Sequence, residues 1–243
     1  MTPRTIPARG AEFAAFALGG DSAVAGRLLV WAPGWGQSHN DLLPLAESVR
    51  RCGRSLLLDP PGFGAAPPPP GWSTADYADA AAECLAGMPA ERRIWVAHSF
   101  GCRIGLQLAA RHPKLVDALF LIAAPGLRPR RSPAAQAMLL ARRSAFRIAR
   151  TLTPDGPARE RLRERFGSAD YRRADRRMRA VLVQAVNEDL SAPAAAVRCP
   201  ALLVYGDRDR ETPPDIGMRL NRMMQHSRLV VLRGFGHLDI VTE

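Results

Sequence analysis

Lysine is almost absent from this chain: of its 34 basic residues, only Lys114 is not an arginine. Cysteine is sparse as well. Cys52, Cys84, Cys102 and Cys199 are scattered, with no CxxC pair and no metal-ligand spacing, which excludes a disulfide framework and a zinc knuckle. Three of the four stand in apolar-patterned segments, as reduced core thiols in a cytoplasm do. The first residues, MTPRTIPARG, lack the continuous apolar stretch and cleavage site of a secretory leader. No apolar run reaches membrane-spanning length, because Asp21, Arg27 or prolines interrupt each one. These absences point to a soluble, cytoplasmic protein. No internal repeat and no second domain are evident.

What is present begins with length and charge. With 243 residues, 47% of them hydrophobic and 23% charged, the chain can build one substantial core. The formal net charge of +11 is not spread evenly. Residues 128–179 hold 16 arginines against five acids (Asp155, Glu160, Glu164, Asp170 and Asp175), and the rest of the chain balances. One reading is a solvated helical surface in an arginine-favouring genome. The other is attraction of an acidic substrate, an acidic carrier or an anionic surface. Nothing in the pattern calls for nucleic acid.

Short apolar runs alternate with amphipathic stretches, the signature of βαβ units around a mostly parallel sheet. Strands are expected at 28–32, 55–58, 94–97, 118–123, 201–205 and 229–232. They read as continuous apolar runs, as strands buried on both faces do. Helices are expected at 41–51, 74–87, 100–111 and 214–224, the second capped by Ser73. A hairpin over 13–26, turning at Gly19-Gly20-Asp21-Ser22, is a further expectation. Pro67 to Pro70 make 65–71 a stiff surface loop. Residues 128–196 break the rhythm and read as three or four helices punctuated by Pro133, Pro154, Gly156, Pro157 and Gly167.

The sharpest signal is Ile94-Trp95-Val96-Ala97-His98-Ser99-Phe100-Gly101, a strand and tight turn leading into a helix with serine at the turn. Such an elbow needs very small residues two before and two after the serine, because the turn crowds helix against strand. Ala97 and Gly101 meet that need, although glycine is more usual at the first. An ordinary helix N-cap is the plainer account of Ser99. The helix starting at Phe100 aims its amides at the serine, where they favour developing negative charge.

At this point the chain resembles the α/β-hydrolase family, over nearly its whole length. Trp31-Ala32-Pro33-Gly34-Trp35-Gly36-Gln37 is similar to the family's HGWG-type oxyanion loop, with Pro33 where histidine is usual. The match implies that the backbone amides of Trp35 and Phe100 hold the oxyanion. Asp59-Pro60-Pro61-Gly62-Phe63-Gly64 resembles the family's D-x-P-G-x-G segment, which implies that the segment shapes the sheet edge and is not catalytic, and that Asp59 is structural rather than chemical. Tyr205-Gly206-Asp207-Arg208-Asp209-Arg210-Glu211-Thr212-Pro213 resembles the loop carrying the acid. Counting from Gly206 selects Asp209, with Asp207 the competing choice. Leu232-Arg233-Gly234-Phe235-Gly236-His237 resembles the G-x-G-H ending, and the order Ser99, Asp209, His237 matches this fold.

The resemblance implies a core of 1–127 and 197–243, with 128–196 a helical lid inserted before the acid-bearing strand. It implies a serine hydrolase acting through an acyl-enzyme on a small-molecule carboxylic ester or thioester, with no metal and no organic cofactor. Gly34-Trp35-Gly36-Gln37 and the lid are similar to esterases acting on acyl chains, the carrier-protein methyl esterase among them. The stretches 166–171 and 186–190 resemble lid segments of bacterial members. Serine at the elbow speaks against dehalogenase or epoxide hydrolase chemistry. Carbon–carbon bond hydrolysis of ring-cleavage products uses the same three residues and stays open, as does a non-catalytic binding module on this fold. Among the remaining histidines, His98 is expected to pack against neighbouring loops and His39 to line the pocket. His112 and His226 fall at helix ends. Glu243 comes six residues after His237, where the family usually adds a further helix, so exposure of an apolar sheet face is expected.

Overall fold

The computed structural model describes residues 3–19, 26–128, 133–153, 156 and 169–243. Its centre is an eight-stranded sheet in the order β1-β2-β4-β3-β5-β6-β7-β8. The strands are β1 (Arg4–Ala8), β2 (Ala11–Leu18), β3 (Arg27–Ala32), β4 (Arg54–Asp59), β5 (Arg92–His98), β6 (Ala118–Ile122), β7 (Ala201–Gly206) and β8 (Ser227–Leu232). From β4 through β8 every pairing is parallel; β1 and β2 are antiparallel additions at one edge.

Successive residues of a strand point to opposite faces, so an uninterrupted apolar run is buried twice. Val30, Trp95, Leu121 and Leu203 lie in the cluster under one face, while Trp31, Val96, Ile122 and Val204 lie in the other. The first face is covered by α2 (Thr74–Ala86), α3 (Phe100–Arg111) and, beyond β6, α8 (Pro214–Met223). The second is covered by α1 (His39–Ser48) and the short α9 (Asp239–Thr242), which brings Ile240 and Val241 against Leu42 and Ala46. At the sheet's other edge, β8 leaves Val230 and Val231 exposed.

Helix starts follow capping chemistry. α1 begins two residues before the expected start, because Ser38 and Asp41 form a reciprocal capping box. Ser73 and Asp76 do the same for α2, as the Ser73 expectation required. Between β6 and β7 lie α4 (Pro133–Leu152), α5 (Ala169–Arg173), α6 (Arg176–Asn187) and α7 (Ser191–Ala196). Residues 166–168 of the expected lid segment lie outside the described residues.

Two expectations need correction. No hairpin joins β2 to β3: β2 pairs with β1 through a tight turn at Arg9 and Gly10, and β4 lies between β2 and β3. The proposed turn at Gly20 to Ser22 lies outside the described residues. The alternation after Gly10 was readable as a strand, but strand pairing is a tertiary property. Likewise the segment beginning at Asp59 does not shape the sheet edge, although Asp59 is structural as expected. It ends the interior strand β4, is fully buried, and accepts from His39 N at 2.6 Å, His39 Nδ1 at 2.9 Å and Ala65 N at 3.0 Å. Asp59 therefore ties together two loops at the strands' carboxyl ends. His39 is held there too, stacked on Phe16, and braces these loops.

Candidate active site

Ser99 stands between β5 and α3 with φ 44°, a left-handed backbone that a residue other than glycine adopts only under constraint. The constraints are visible. Its amide donates to Ile122 O on β6 at 3.0 Å, and Gly101 N donates to Pro33 O at 3.0 Å. A side chain at Gly101 would collide with the Ala32 carbonyl, so α3 starts hard against β3 only because glycine is there. That is the crowding which the small residues around Ser99 anticipated.

The carboxyl ends of β7 and β8 carry the next two residues. Asp207 N donates to Leu232 O, and Arg208 N to Phe235 O, both at 3.0 Å, so the two loops are stitched together. A Cβ on Gly206 would meet the Phe235 carbonyl. The loop bearing His237 can therefore lie close over the end of β7. The result is a row: His237 Nε2 is 3.1 Å from Ser99 Oγ, and His237 Nδ1 is 2.7 Å from Asp209 Oδ2. Asp207 faces elsewhere and accepts from Gly234 N at 2.8 Å, which fixes the glycine turn before His237.

Asp209 is 3% exposed and fully partnered. Its Oδ1 accepts from the Glu211 and Thr212 amides, each at 2.8 Å, and its Oδ2 accepts from the Thr212 hydroxyl at 2.7 Å as well as from His237. Burial pushes this carboxyl up, but the bonds from His237 and Thr212 outweigh it and hold the group below the ordinary carboxylate range. Burial pulls the His237 imidazolium down. The hydrogen bond and charge of Asp209, with the charges of Glu211 and Asp170, outweigh that and raise it above 6.5.

His98 is buried behind the row. Its Nδ1 lies 2.6 Å from Gln37 Oε1, which also accepts from Gly34 N, and its Nε2 lies 3.0 Å from the His237 carbonyl. Burial, then the neighbouring His237, lower it to about 4, so at neutral pH the ring carries one proton and donates to one of these oxygens at a time. His98 thus bridges the loop before α1 to the loop of His237. The expectation that it packs against neighbouring loops is met.

Trp35 and Phe100 come together through their rings, at 5.4 Å and near right angles, with Phe63 and Tyr77 packed on the same cluster. Among the described residues neither the Trp35 nor the Phe100 amide has a hydrogen-bond acceptor, while Gln37, Gly101 and Cys102 beside them do. Residues that sequence reasoning did not single out are Thr212, Glu211, Gln37 and the aromatic Phe63 and Tyr77. Thr212 had a signal in its position between Asp209 and Pro213; the aromatic cluster had none, since its members are spread over 66 residues of sequence.

A hydroxyl held against an imidazole, itself held by a carboxylate at the carboxyl end of a parallel sheet, is an arrangement for activating serine as a nucleophile. That is the class which fold and geometry define. The chain matches the model of the alpha/beta hydrolase family over residues 29–242, and it belongs to that family. It is 32% identical over 213 residues to a pimeloyl-[acyl-carrier protein] methyl ester esterase of Chromobacterium violaceum, covering 78% of each chain. It is also 35% identical over 109 residues to a carbamate hydrolase of Yersinia enterocolitica; that match spans 44% of this chain and only 39% of the relative. Among solved structures, a hydrolase from Pseudomonas aeruginosa superposes with a TM-score of 0.72 at 22% identity, covering 98% of this chain and 92% of that one. Among the described residues no helix is long and apolar enough to cross a membrane.

Proposed function

We propose that the protein is a serine hydrolase that cleaves a carboxylic ester or thioester through an acyl-enzyme, with Ser99 as nucleophile, His237 as general base and Asp209 as its acidic partner. An ester-cleaving hydrolase is what the family and the named relatives support. The observation that carries the residue roles is the row of contacts at 3.1 Å and 2.7 Å from Ser99 through His237 to Asp209.

In this reading His237 Nε2 takes the serine proton during attack and then passes it to the leaving group. Asp209 keeps the Nδ1 proton in place and stabilises the imidazolium. The Trp35 and Phe100 amides receive the oxyanion, each worth on the order of 10²- to 10³-fold in rate. Water then attacks the acyl-enzyme by the same route and releases the acid.

Residues 1–127 and 197–243 form the core, and 128–196 form a lid. Three features support the lid. Met178 packs against Gly62, Glu188 accepts from Thr74 and Gln107 on α2 and α3, and the charge of Asp170 is felt at His237. The substrate class closest to these features is an acyl ester attached to an acidic carrier. The Chromobacterium relative is named for a methyl ester on an acyl-carrier protein, and the arginine excess of 128–179, which favours an acidic partner, falls in the lid. A cytoplasmic location fits the four unpaired cysteines.

The test is labelling with a fluorophosphonate probe, followed by a panel of neutral esters, thioesters and a dienoate ketone. Ser99 is expected to take the label, and Ser99→Ala and His237→Ala to lose hydrolysis by roughly 10⁴- to 10⁶-fold in kcat. Undiminished labelling of Ser99→Ala overturns the nucleophile, and turnover of the dienoate ketone alone overturns the ester reading.

A further inference from the structure

Glu211 sits in the loop between Asp209 and α8, with its side chain 67% exposed and its Oε2 3.6 Å from His237 Nε2. Nε2 is the nitrogen that faces Ser99 Oγ at 3.1 Å. Its neighbourhood is therefore where the leaving-group oxygen of a bound ester must lie. A second acid, Asp170 of α5, adds its negative charge at His237 from the side of the lid. No role assigned above needs either acid: Asp209 already orients His237, and Glu211 contributes to Asp209 only through its backbone amide.

We propose that Glu211 determines specificity by charge: it admits esters that are uncharged around the scissile bond, disfavours those with a carboxylate there, and speeds departure of the acid product. The inference rests on the ester-hydrolase reading of the same site and narrows its substrate class. The physical basis is simple. Glu211 Oε2 is 3.6 Å from the same nitrogen that lies 3.1 Å from Ser99 Oγ, so a substrate or product carboxylate beside Ser99 lies in the near field of Glu211. At such range, like charges near a protein surface repel measurably even after solvent screening. Because Glu211 is open to water, the effect is modest, about three- to tenfold in rate or affinity rather than all-or-none.

This charge has the opposite sign to the lid. The arginines of 128–179 favour negative charge at the periphery, whereas Glu211 and Asp170 oppose it at the reacting bond. Together they select a substrate of a particular construction: a neutral ester at one end, and its acidic part held well away from it.

The experiment compares dimethyl succinate with the monomethyl succinate anion, which differ by one charge four carbons from end to end. Glu211→Gln keeps size and the backbone amide bond to Asp209. The readout is the ratio of kcat/KM for diester over monoester, so a change common to both substrates cancels. The parent protein should prefer the diester; Glu211→Gln should cut that preference by about three- to tenfold and tighten product inhibition by the monoester anion by a similar factor. Asp170→Asn should move both in the same direction by less. Raising salt should shrink the parent's preference more than that of the variant. An unchanged ratio and unchanged product inhibition in Glu211→Gln, with the parent hydrolysing dimethyl succinate, overturns the role of Glu211 and leaves the hydrolase reading standing. A parent that neither takes the fluorophosphonate label at Ser99 nor cleaves dimethyl succinate overturns both.

Discussion

The Thr212 hydroxyl donates to the same Asp209 oxygen, Oδ2, that accepts from His237 Nδ1, and its own oxygen lies 3.2 Å from that nitrogen. Two donors thus converge on one carboxylate oxygen, while the Glu211 and Thr212 amides hold the other. Four hydrogen bonds leave Asp209 almost no freedom, and the direction in which it presents Oδ2 is set by the backbone of its own loop.

The first prediction separates the contributors to that arrangement. Asp209→Asn should fold normally yet lower kcat by about 10⁴-fold, because an amide there favours the wrong imidazole tautomer. Thr212→Val removes one of the two donors to Oδ2 and should cost about three- to tenfold, the range for a single buried hydrogen bond. Asp207→Asn should be mild, since that side chain holds only the turn at Gly234. Steady-state kinetics on one neutral ester ranks the three. A ranking with Asp207 above Asp209 would mean that the acid is misassigned.

The second concerns pH. In the proposed mechanism His237 must be neutral to accept the serine proton, and its pKa is raised above 6.5 by the groups around it. Activity is therefore lost as pH falls through a value above 6.5, and kcat/KM of the free enzyme reports it. The groups acting on the ring are Asp209 and Thr212 on one side, Ser99 and Glu211 on the other, the charge of Asp170 on α5, and the His98 ring at 4.8 Å between centroids. Glu211→Gln and Asp170→Asn each remove a negative charge and should shift the acid limb to lower pH. A shift to higher pH in either variant would contradict the sign of the interaction.

The third tests how the loops are registered. Gly206→Ala places a methyl group against the Phe235 carbonyl and should push the His237 loop away from β7. Misplacement on the order of 1 Å costs about 10²-fold in rate. Both kcat and the rate of fluorophosphonate labelling should fall together, because each depends on His237 reaching Ser99. Wild-type labelling with lowered turnover would place the effect elsewhere.

The fourth asks whether the arginine excess of residues 128–179 does anything. Arg176 and Arg177 open α6 and are exposed. If they steer an acidic carrier, kcat/KM for the carrier-bound ester should fall steeply with salt, while a neutral ester of the same chain length stays flat. Reversing both to Glu should slow the carrier substrate and spare the neutral one. A flat salt response for both substrates would leave these arginines as a solvated helical surface.

Asp79 allows a prediction about stability. It accepts from Arg111 at 2.9 and 2.8 Å and faces His112 Nε2 at 2.7 Å, and these partners, the Arg111 bond foremost, lower its pKa from 3.8 to about 2. A depressed carboxylate stabilises the fold above its unfolded pKa, and that contribution is lost as pH falls from about 4 through 2. Asp79→Asn should lower stability by about 1–2 kcal/mol at pH 7, and the deficit should shrink as pH falls below about 4 and vanish only below about pH 2. An equal deficit at both pH values would show that packing, not charge, is responsible.

By itself the sequence determined the parallel strands and the small-residue elbow at Ser99, from runs apolar enough to be buried twice and small residues where helix meets strand. The loops carrying Asp209 and His237 were legible through a family resemblance. Gly101 was legible locally, because the need for no side chain is written at a single position. Other properties were decided only by the tertiary structure. The partner of β2, the interior place of β4 and the anchoring of His39 by Asp59 follow from which distant segments pair, and periodicity carries no record of pairing. The same holds for the two acids of one short loop. Asp209 and Glu211 are separated by one residue, yet one is buried with four donors and the other stands in solvent beside the opposite nitrogen of the same imidazole. Burial and field, which make one of them a partner of His237 and the other an exposed charge beside it, exist only once β7, β8 and their loops have come together.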